Sequence, residues 1–290
     1  MPRVMTVQGT LAELQEEERT SSMPSDVQSS QVLERIIIVA NQLSVRACRR
    51  AEGRGWSFAW DEDSLLLQLK DALPSDMEVL YIGSLSFDVE AHEQDDVAQT
   101  LLERFKCVLT FLPPDLHDYF YHRFWQLFHY MLPFSSSGGG GYDRSLWEAY
   151  VLTNKLFSER VIEVINPEED YVWIHNYHLM ALLTFLRRHF NRLRLGFFLH
   201  VPFPSSEIYR TLPFREEILK ALLNCDIIDF HTFDYAHHFL SCCSRILGIE
   251  YQSKRGYIGL DYFGRTIGIK ILPVGIHMGQ LQSVLHLPDK

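Results

Sequence analysis

With 290 residues and a formal net charge of −10, the chain has the length of one large domain or two small ones. Hydrophobic residues make up 47% and charged residues 22%, so a core can be buried without disulfides or metals. The acidic excess argues against a nucleic-acid binder, while a local basic pocket for a small anion stays compatible with it. Residues 1–31 are polar and acidic with few large apolar side chains, and they are expected to form a disordered arm. Order is expected from Val32, giving a domain over 32–290. VLERIIIVA reads as a strand buried on both faces, and EVLYIG (78–83), CVLTFL (107–112), YVWIH (171–175), LGFFLH (195–200) and IIDFHT (227–232) read alike. Helical periodicity marks Ser64–Leu73 and the stretches 96–105, 144–164, 177–190, 215–224 and 234–247, the last capped by Thr232 or Asp234. Strands alternating with helices predict an α/β fold, a Rossmann-like parallel sheet with flanking helices. Near the end, YIGLDYFGRTIGIKILPVGI predicts a β-hairpin with Gly at its turn, leading into a further strand.

Five cysteines at irregular spacing argue against a disulfide framework. No apolar run reaches a membrane span, and the N-terminus lacks the apolar core of a signal peptide, so the expected location is cytoplasmic with no membrane partner. Residues 133–143, PFSSSGGGGYD, read as a flexible loop rather than a phosphate loop, because no Lys-Ser/Thr pair follows the glycines. Glu168, Glu169 and Asp170 read as a solvated acidic turn. His175 and His178 lack a third ligand at zinc spacing, so neither metal nor cofactor is expected. A hydrolase triad has no G-x-S-x-G elbow to sit on. His200 is the best-placed titratable residue, because it ends a buried strand and ligands of α/β sheets bind beyond the carboxyl ends of the strands.

HNYHLM (175–180), GFFLHVPFPSSEIYRTLP (196–213), HTFDYAHHFLSCCSRILG (231–248) and KILPVGIHMGQ (270–280) together resemble the trehalose-6-phosphate synthase family. Those enzymes are retaining glycosyltransferases that join glucose from UDP-glucose to glucose 6-phosphate. The N-terminal RVMTV and the NQL after the first strand resemble the plant subgroup called class II, whose members fuse a synthase-like to a phosphatase-like domain and are regarded as weakly active or inactive. The resemblance implies a two-domain GT-B fold, of which this chain covers the N-terminal domain, with the second domain absent.

It also implies a site. His200 matches the donor-site His, Trp125 the Trp of the family's LWPLFHY, and Tyr121 an acceptor-binding Tyr, at a shorter spacing from Trp125 than the family has. Four positions depart. Gln42 stands where active enzymes carry an Arg for the acceptor phosphate. Asp63 and Ser64, after Asp61 and Glu62, replace a Gly-Gly loop. Ser84 replaces a cleft Trp, and Asn176 replaces an acceptor-binding Asp. An amide cannot give a phosphate the bidentate charge-assisted pair that Arg gives.

The expected function is therefore a synthase-like protein of trehalose metabolism, regulatory and without activity as this chain. A non-functional fragment of a longer synthase-phosphatase and a weakly active transferase are the alternatives. UDP-glucose and glucose 6-phosphate are the implied ligands, and synthase subunits the implied protein partners. Arg3, three residues before Thr6, makes Thr6 a candidate for a basophilic kinase and then a 14-3-3 protein, with Gln8 where relatives have Pro.

Overall fold

The computed structural model describes residues 35–49, 55–61, 64, 66, 73–74, 76–113, 116, 144–254 and 257–273. The chain divides into two units, 1–32 and 33–290, and every described residue lies in the second. The arm with Thr6, the loop 133–143, Asp63, Tyr121, Trp125 and the strand expected after the hairpin lie outside the described residues.

Nine strands form one sheet in the order β5–β4–β1–β6–β7–β8–β11–β10–β9. They are β1 (Arg35–Gln42), β4 (Glu78–Ser84), β5 (Cys107–Leu109), β6 (Tyr171–His175), β7 (Arg194–Leu199), β8 (Ile227–Phe230), β9 (Tyr251–Lys254), β10 (Tyr257–Tyr262) and β11 (Arg265–Ile271). Pairing is parallel from β5 through to β11 and antiparallel between β11, β10 and β9. The chain builds outward from β1 through β4 to β5, then returns to the other side of β1 and builds outward again through β6, β7 and β8. Strand order thus reverses between β1 and β6, the Rossmann switch point. β2 (Val45–Arg49) and β3 (Trp56–Trp60) form a separate antiparallel hairpin.

β1 is apolar from Ile36 to Ala40 because both its faces are covered, and every residue from Ile36 to Asn41 is buried. On one face α2 (Arg144–Val164), α3 (Leu182–His189), α5 (Arg215–Leu222) and α6 (Phe233–Leu247) pack Phe157, Leu186, Leu219 and Phe239 against Val172, Phe197 and Ile228. On the other, Val97, Leu101 and Phe105 of α1 (Gln94–Phe105), with Phe58 of β3, cover Ile36, Ile38 and Tyr81. The short α4 (Ser206–Tyr209) follows β7. α6 buries Ala236, Phe239, Leu240 and Cys243 at helical spacing. Thr232, not Asp234, caps it by accepting the Tyr235 N–H, and Gly248 ends it at φ +69°. The β10–β11 hairpin turns at Phe263 and Gly264, both at positive φ, the geometry that suits a two-residue hairpin turn.

Two expectations need correction. The stretch 177–190 is not one helix: Tyr177–Leu179 is a 3-10 turn, and α3 starts at Leu182. Side chains of α2 take up the backbone donors at the break. The Tyr150 hydroxyl accepts the Met180 N–H at 3.0 Å, and the Asn154 side chain accepts the Leu182 N–H at 2.9 Å. Asp170 is not solvated. It is 1% exposed and accepts from Arg35 Nε at 2.9 Å, from Arg35 Nη2 at 2.6 Å and from the Asn166 N–H at 2.7 Å. This fork ties the start of β1 to the start of β6. Removing one partner leaves the other without its counter-charge, so Asp170→Ala should lower the unfolding free energy by about 3–5 kcal/mol. Arg160→Ala, which breaks an exposed pair with Glu163, should cost less than about 1 kcal/mol. Urea unfolding of both variants compares them; equal losses would show that the Arg35–Asp170 fork adds no special stability.

Candidate functional site

The switch point opens a cleft of about 250 Å3. β1 contributes Ala40, Asn41 and Gln42, the β6 end contributes His175 and Asn176, the β7 end contributes His200, and Ser64, Leu66 and His178 complete it. Three consecutive β1 residues cannot all face one side of a regular strand. Between the pairs Val39–Ile82 and Gln42–Ser84, however, β1 carries one residue more than β4. This bulge breaks the alternation and turns the strand end into the cleft.

The structure therefore brings Gln42, Ser64, Asn176 and His200 together. Ser84 is not among them. Its hydroxyl donates to the Asn41 carbonyl at 2.6 Å and its carbonyl accepts the Leu43 N–H at 2.9 Å, so it pins the bulge from behind. It lines a separate recess of about 80 Å3 with Phe87 and Thr110. Asp61 pairs with Arg46 at 2.6 Å and is not a cleft-lining residue, while the Ser64 and Ser44 hydroxyls are 2.6 Å apart. A larger recess of about 560 Å3, between the β2–β3 hairpin and α1, holds no residue singled out from the sequence. Arg49 sits there 4.8 Å from the Trp56 ring centre and 3.3 Å from Glu93.

Asn176 has φ +70° and ψ 165°, a region that non-glycine residues enter at a cost of about 1–3 kcal/mol. Two bonds hold it there. Its N–H donates to the Phe198 carbonyl at 2.7 Å, and its side-chain oxygen accepts the Tyr177 N–H at 3.0 Å.

Three parallel strands in a row end in histidine: His175 closes β6, His200 follows β7 and His231 follows β8. His175 Nδ1 and His200 Nε2 are 2.9 Å apart, and the His200 and His231 rings lie 5.5 Å apart. The sequence reading singled out only His200, although YVWIH, GFFLH and IIDFH share the same apolar run with a terminal His. Asn41 was missed too, because its place in the cleft depends on the bulge.

One nitrogen of the His175–His200 pair carries the shared proton; charging both rings would set N–H against N–H. Burial, helped by the nearness of His231, lowers His200 from 6.5 to about 4, and burial with the nearness of His200 lowers His175 well below 6.5. Asp229, beside Lys270 in the β8–β11 register, is raised from 3.8 to about 6, chiefly by burial and against the pull of Lys270. Among the described residues no group of three or more His, Cys, Asp or Glu is arranged to hold a metal ion.

These shifts have opposite signs. As pH falls from 6.5 to 4, the unfolded chain takes up histidine protons that the folded chain refuses, and stability falls. As pH falls from 6 to 3.8, the folded chain protonates Asp229 before the unfolded chain does, and stability rises. At neutral pH the buried Asp229 carboxylate is a net cost. Asp229→Asn should therefore be more stable than the parent at pH 7, by about 2–3 kcal/mol, with the advantage gone by pH 4. Urea unfolding at both pH values checks this, and an advantage that does not shrink on acidification would refute it.

Residues 34–289 match glycosyltransferase family 20. Over its whole length the chain is 66% identical to probable alpha,alpha-trehalose-phosphate synthase (UDP-forming) 7 of Arabidopsis thaliana. Over 99% of its length it is 61% identical to alpha,alpha-trehalose-phosphate synthase (UDP-forming) 5 of the same plant. It spans 34% of each of these relatives. The fold is similar to the N-terminal domain of Candida albicans trehalose-6-phosphate phosphatase (TM-score 0.67, 28% identity, 86% of this chain and 50% of that one). It is also similar to a Burkholderia xenovorans trehalose-phosphate synthase in complex with glucose 6-phosphate (TM-score 0.63, 24% identity, 86% and 52%). An Escherichia coli structure bound with UDP-2-fluoro glucose has the same fold (TM-score 0.66, 23% identity, 88% and 52%). Since the family match runs through the whole sheet-bearing unit, with the cleft at its switch point, the chain belongs to glycosyltransferase family 20.

Proposed function

We propose that this chain is a sugar-binding, non-catalytic form of the trehalose-phosphate synthase fold that serves regulation of trehalose metabolism. The observation that carries the reading is the charge of the cleft. Gln42 stands at the switch point where the family resemblance places an arginine, and no described lining residue is Lys or Arg. Each charge-assisted hydrogen bond to a phosphate is worth about 1.5–3 kcal/mol, and a neutral amide does not replace a bidentate guanidinium. Fold does not decide between the readings, since a similar domain occurs in a protein named for phosphatase rather than synthase activity. The family ligands, UDP-glucose and glucose 6-phosphate, would meet His200 and Asn176 here through their sugar hydroxyls.

Incubated with UDP-glucose and glucose 6-phosphate, the purified chain should form no trehalose 6-phosphate above the buffer blank. Turnover that His200→Ala abolishes would establish a weakly active transferase instead.

The same reading has this chain in the cytoplasm, docking on active synthase subunits and controlled through its arm. A basophilic kinase would phosphorylate Thr6, and the product would bind a 14-3-3 protein weakly, with Gln8→Pro strengthening the complex. Mass spectrometry after kinase treatment should find Thr6 modified; equal occupancy in Arg3→Ala would remove this assignment.

A further inference from the structure

We infer that the switch-point cleft takes a single hexose ring through its hydroxyls and does not recognise the phosphate of a sugar phosphate. The inference rests on reading the cleft as a sugar site, and it names which sugar chemistry fits.

Size comes first. A cleft of about 250 Å3 lies just below the ~300–1,000 Å3 of sites for larger ligands, so one sugar ring is a better match than a nucleotide sugar. Polarity comes second. The walls offer the amides of Asn41, Gln42 and Asn176, the Ser64 hydroxyl and the His175–His200 imidazoles, with Ala40 and Leu66 as apolar surface for the C–H face of a ring.

The third argument is an unmet hydrogen bond. Asn41 is 8% exposed, and its side-chain oxygen has no partner among the described residues. The same holds for Nε2 of His175, which is 1% exposed. Such buried groups in a native structure call for a partner. The Asn41 oxygen needs a donor, and His175 Nε2 needs a donor or an acceptor according to the tautomer of the pair. A sugar hydroxyl, once a small turn of either side chain brings the atom to the cleft surface, serves either need, whereas a phosphate group in that place can only accept and leaves the Asn41 oxygen without a donor. Burial also keeps the His175 and His200 imidazoles uncharged at neutral pH, and the described lining holds no Lys or Arg.

The test is calorimetric titration of the 290-residue chain with D-glucose and with D-glucose 6-phosphate, at low and at physiological salt. Glucose should bind, and the phosphate should improve affinity by no more than about fivefold, with little salt dependence. Gln42→Arg should raise glucose 6-phosphate affinity by roughly tenfold or more while leaving glucose affinity nearly unchanged. Asn41→Leu should lose glucose binding while its melting temperature holds or rises, because an unmet carbonyl is replaced by an apolar group of similar size. If Asn41→Leu does not fold, Gln42→Arg decides. Glucose 6-phosphate binding more than about fivefold tighter than glucose in the parent chain, or no binding of glucose, overturns the inference. Neither result touches the non-catalytic reading, which only turnover to trehalose 6-phosphate would overturn.

Discussion

The site depends on one constraint, the burial of β1. That strand is covered on both faces and hydrogen-bonded on both edges, to β4 and to β6. The chain leaving β1 can join the sheet on only one side, and the rest of the sheet must then be built on the other. Connections beyond β1 and beyond β6 therefore diverge, and the carboxyl ends of these two strands are left at the floor of a crevice. Gln42 and Asn176, 134 positions apart in the sequence, line one opening for this reason. The Arg35–Asp170 fork fastens the other ends of the same two strands, so the pair is anchored where the crevice is closed.

Within that frame the described lining holds no Lys or Arg and offers hydrogen-bonding groups instead. An arginine fork would dominate any ligand choice, because its two parallel bonds to a phosphate exceed what an amide offers. With Gln42 at that position, the described lining offers three amides, a hydroxyl, the bonded His175–His200 pair and His178, and no guanidinium. Desolvation reinforces the pattern. Burial of His175 and His200 disfavours their imidazolium forms, and the nearness of a neighbouring ring acts in the same direction on each.

The parallel strands were legible in the sequence because strands buried on both faces are continuous apolar runs, and RIIIVA, YVWIH and GFFLH are such runs. The helices of 144–164 and 234–247 were legible from their period, the second also from Thr232 and Gly248 at its ends. The β2–β3 hairpin carries a local signal of another kind: its residues alternate, with Trp56, Phe58 and Trp60 turned inward and Ser57 and Ala59 exposed, as in a half-buried strand rather than a continuous apolar run. Other features lacked a local signal. Asp170 sits in an acidic run that looks solvated, and only the return of β6 beside β1 gives it Arg35. The break at Met180–Ala181 is set by Tyr150 and Asn154, two side chains of a preceding helix. In the site, Gln42, Asn176 and His200 were found through the resemblance and the rule of strand ends. Asn41 was not, because one inserted residue in β1 decides where it points.

The two cleft positions that the resemblance marks as departures, Gln42 and Asn176, differ in what an exchange there would disturb. Asn176 occupies a backbone conformation that glycine tolerates best, and it stays there because its side-chain oxygen caps the Tyr177 N–H. Aspartate, which the resemblance places at this position, has an oxygen in the same place and would make the same cap. Exchanging one for the other removes a charge without moving the chain. At Gln42 the pairing with Ser84 is a backbone register, and the Ser84 hydroxyl holds the bulge through the Asn41 carbonyl, so the side chain at 42 takes no part in shaping the strand. On the departures that the resemblance implies, either exchange would leave the backbone walls standing and alter what the walls attract. A crevice set by strand order and backbone bonds can thus change its ligand chemistry by side-chain exchange while its framework stays in place.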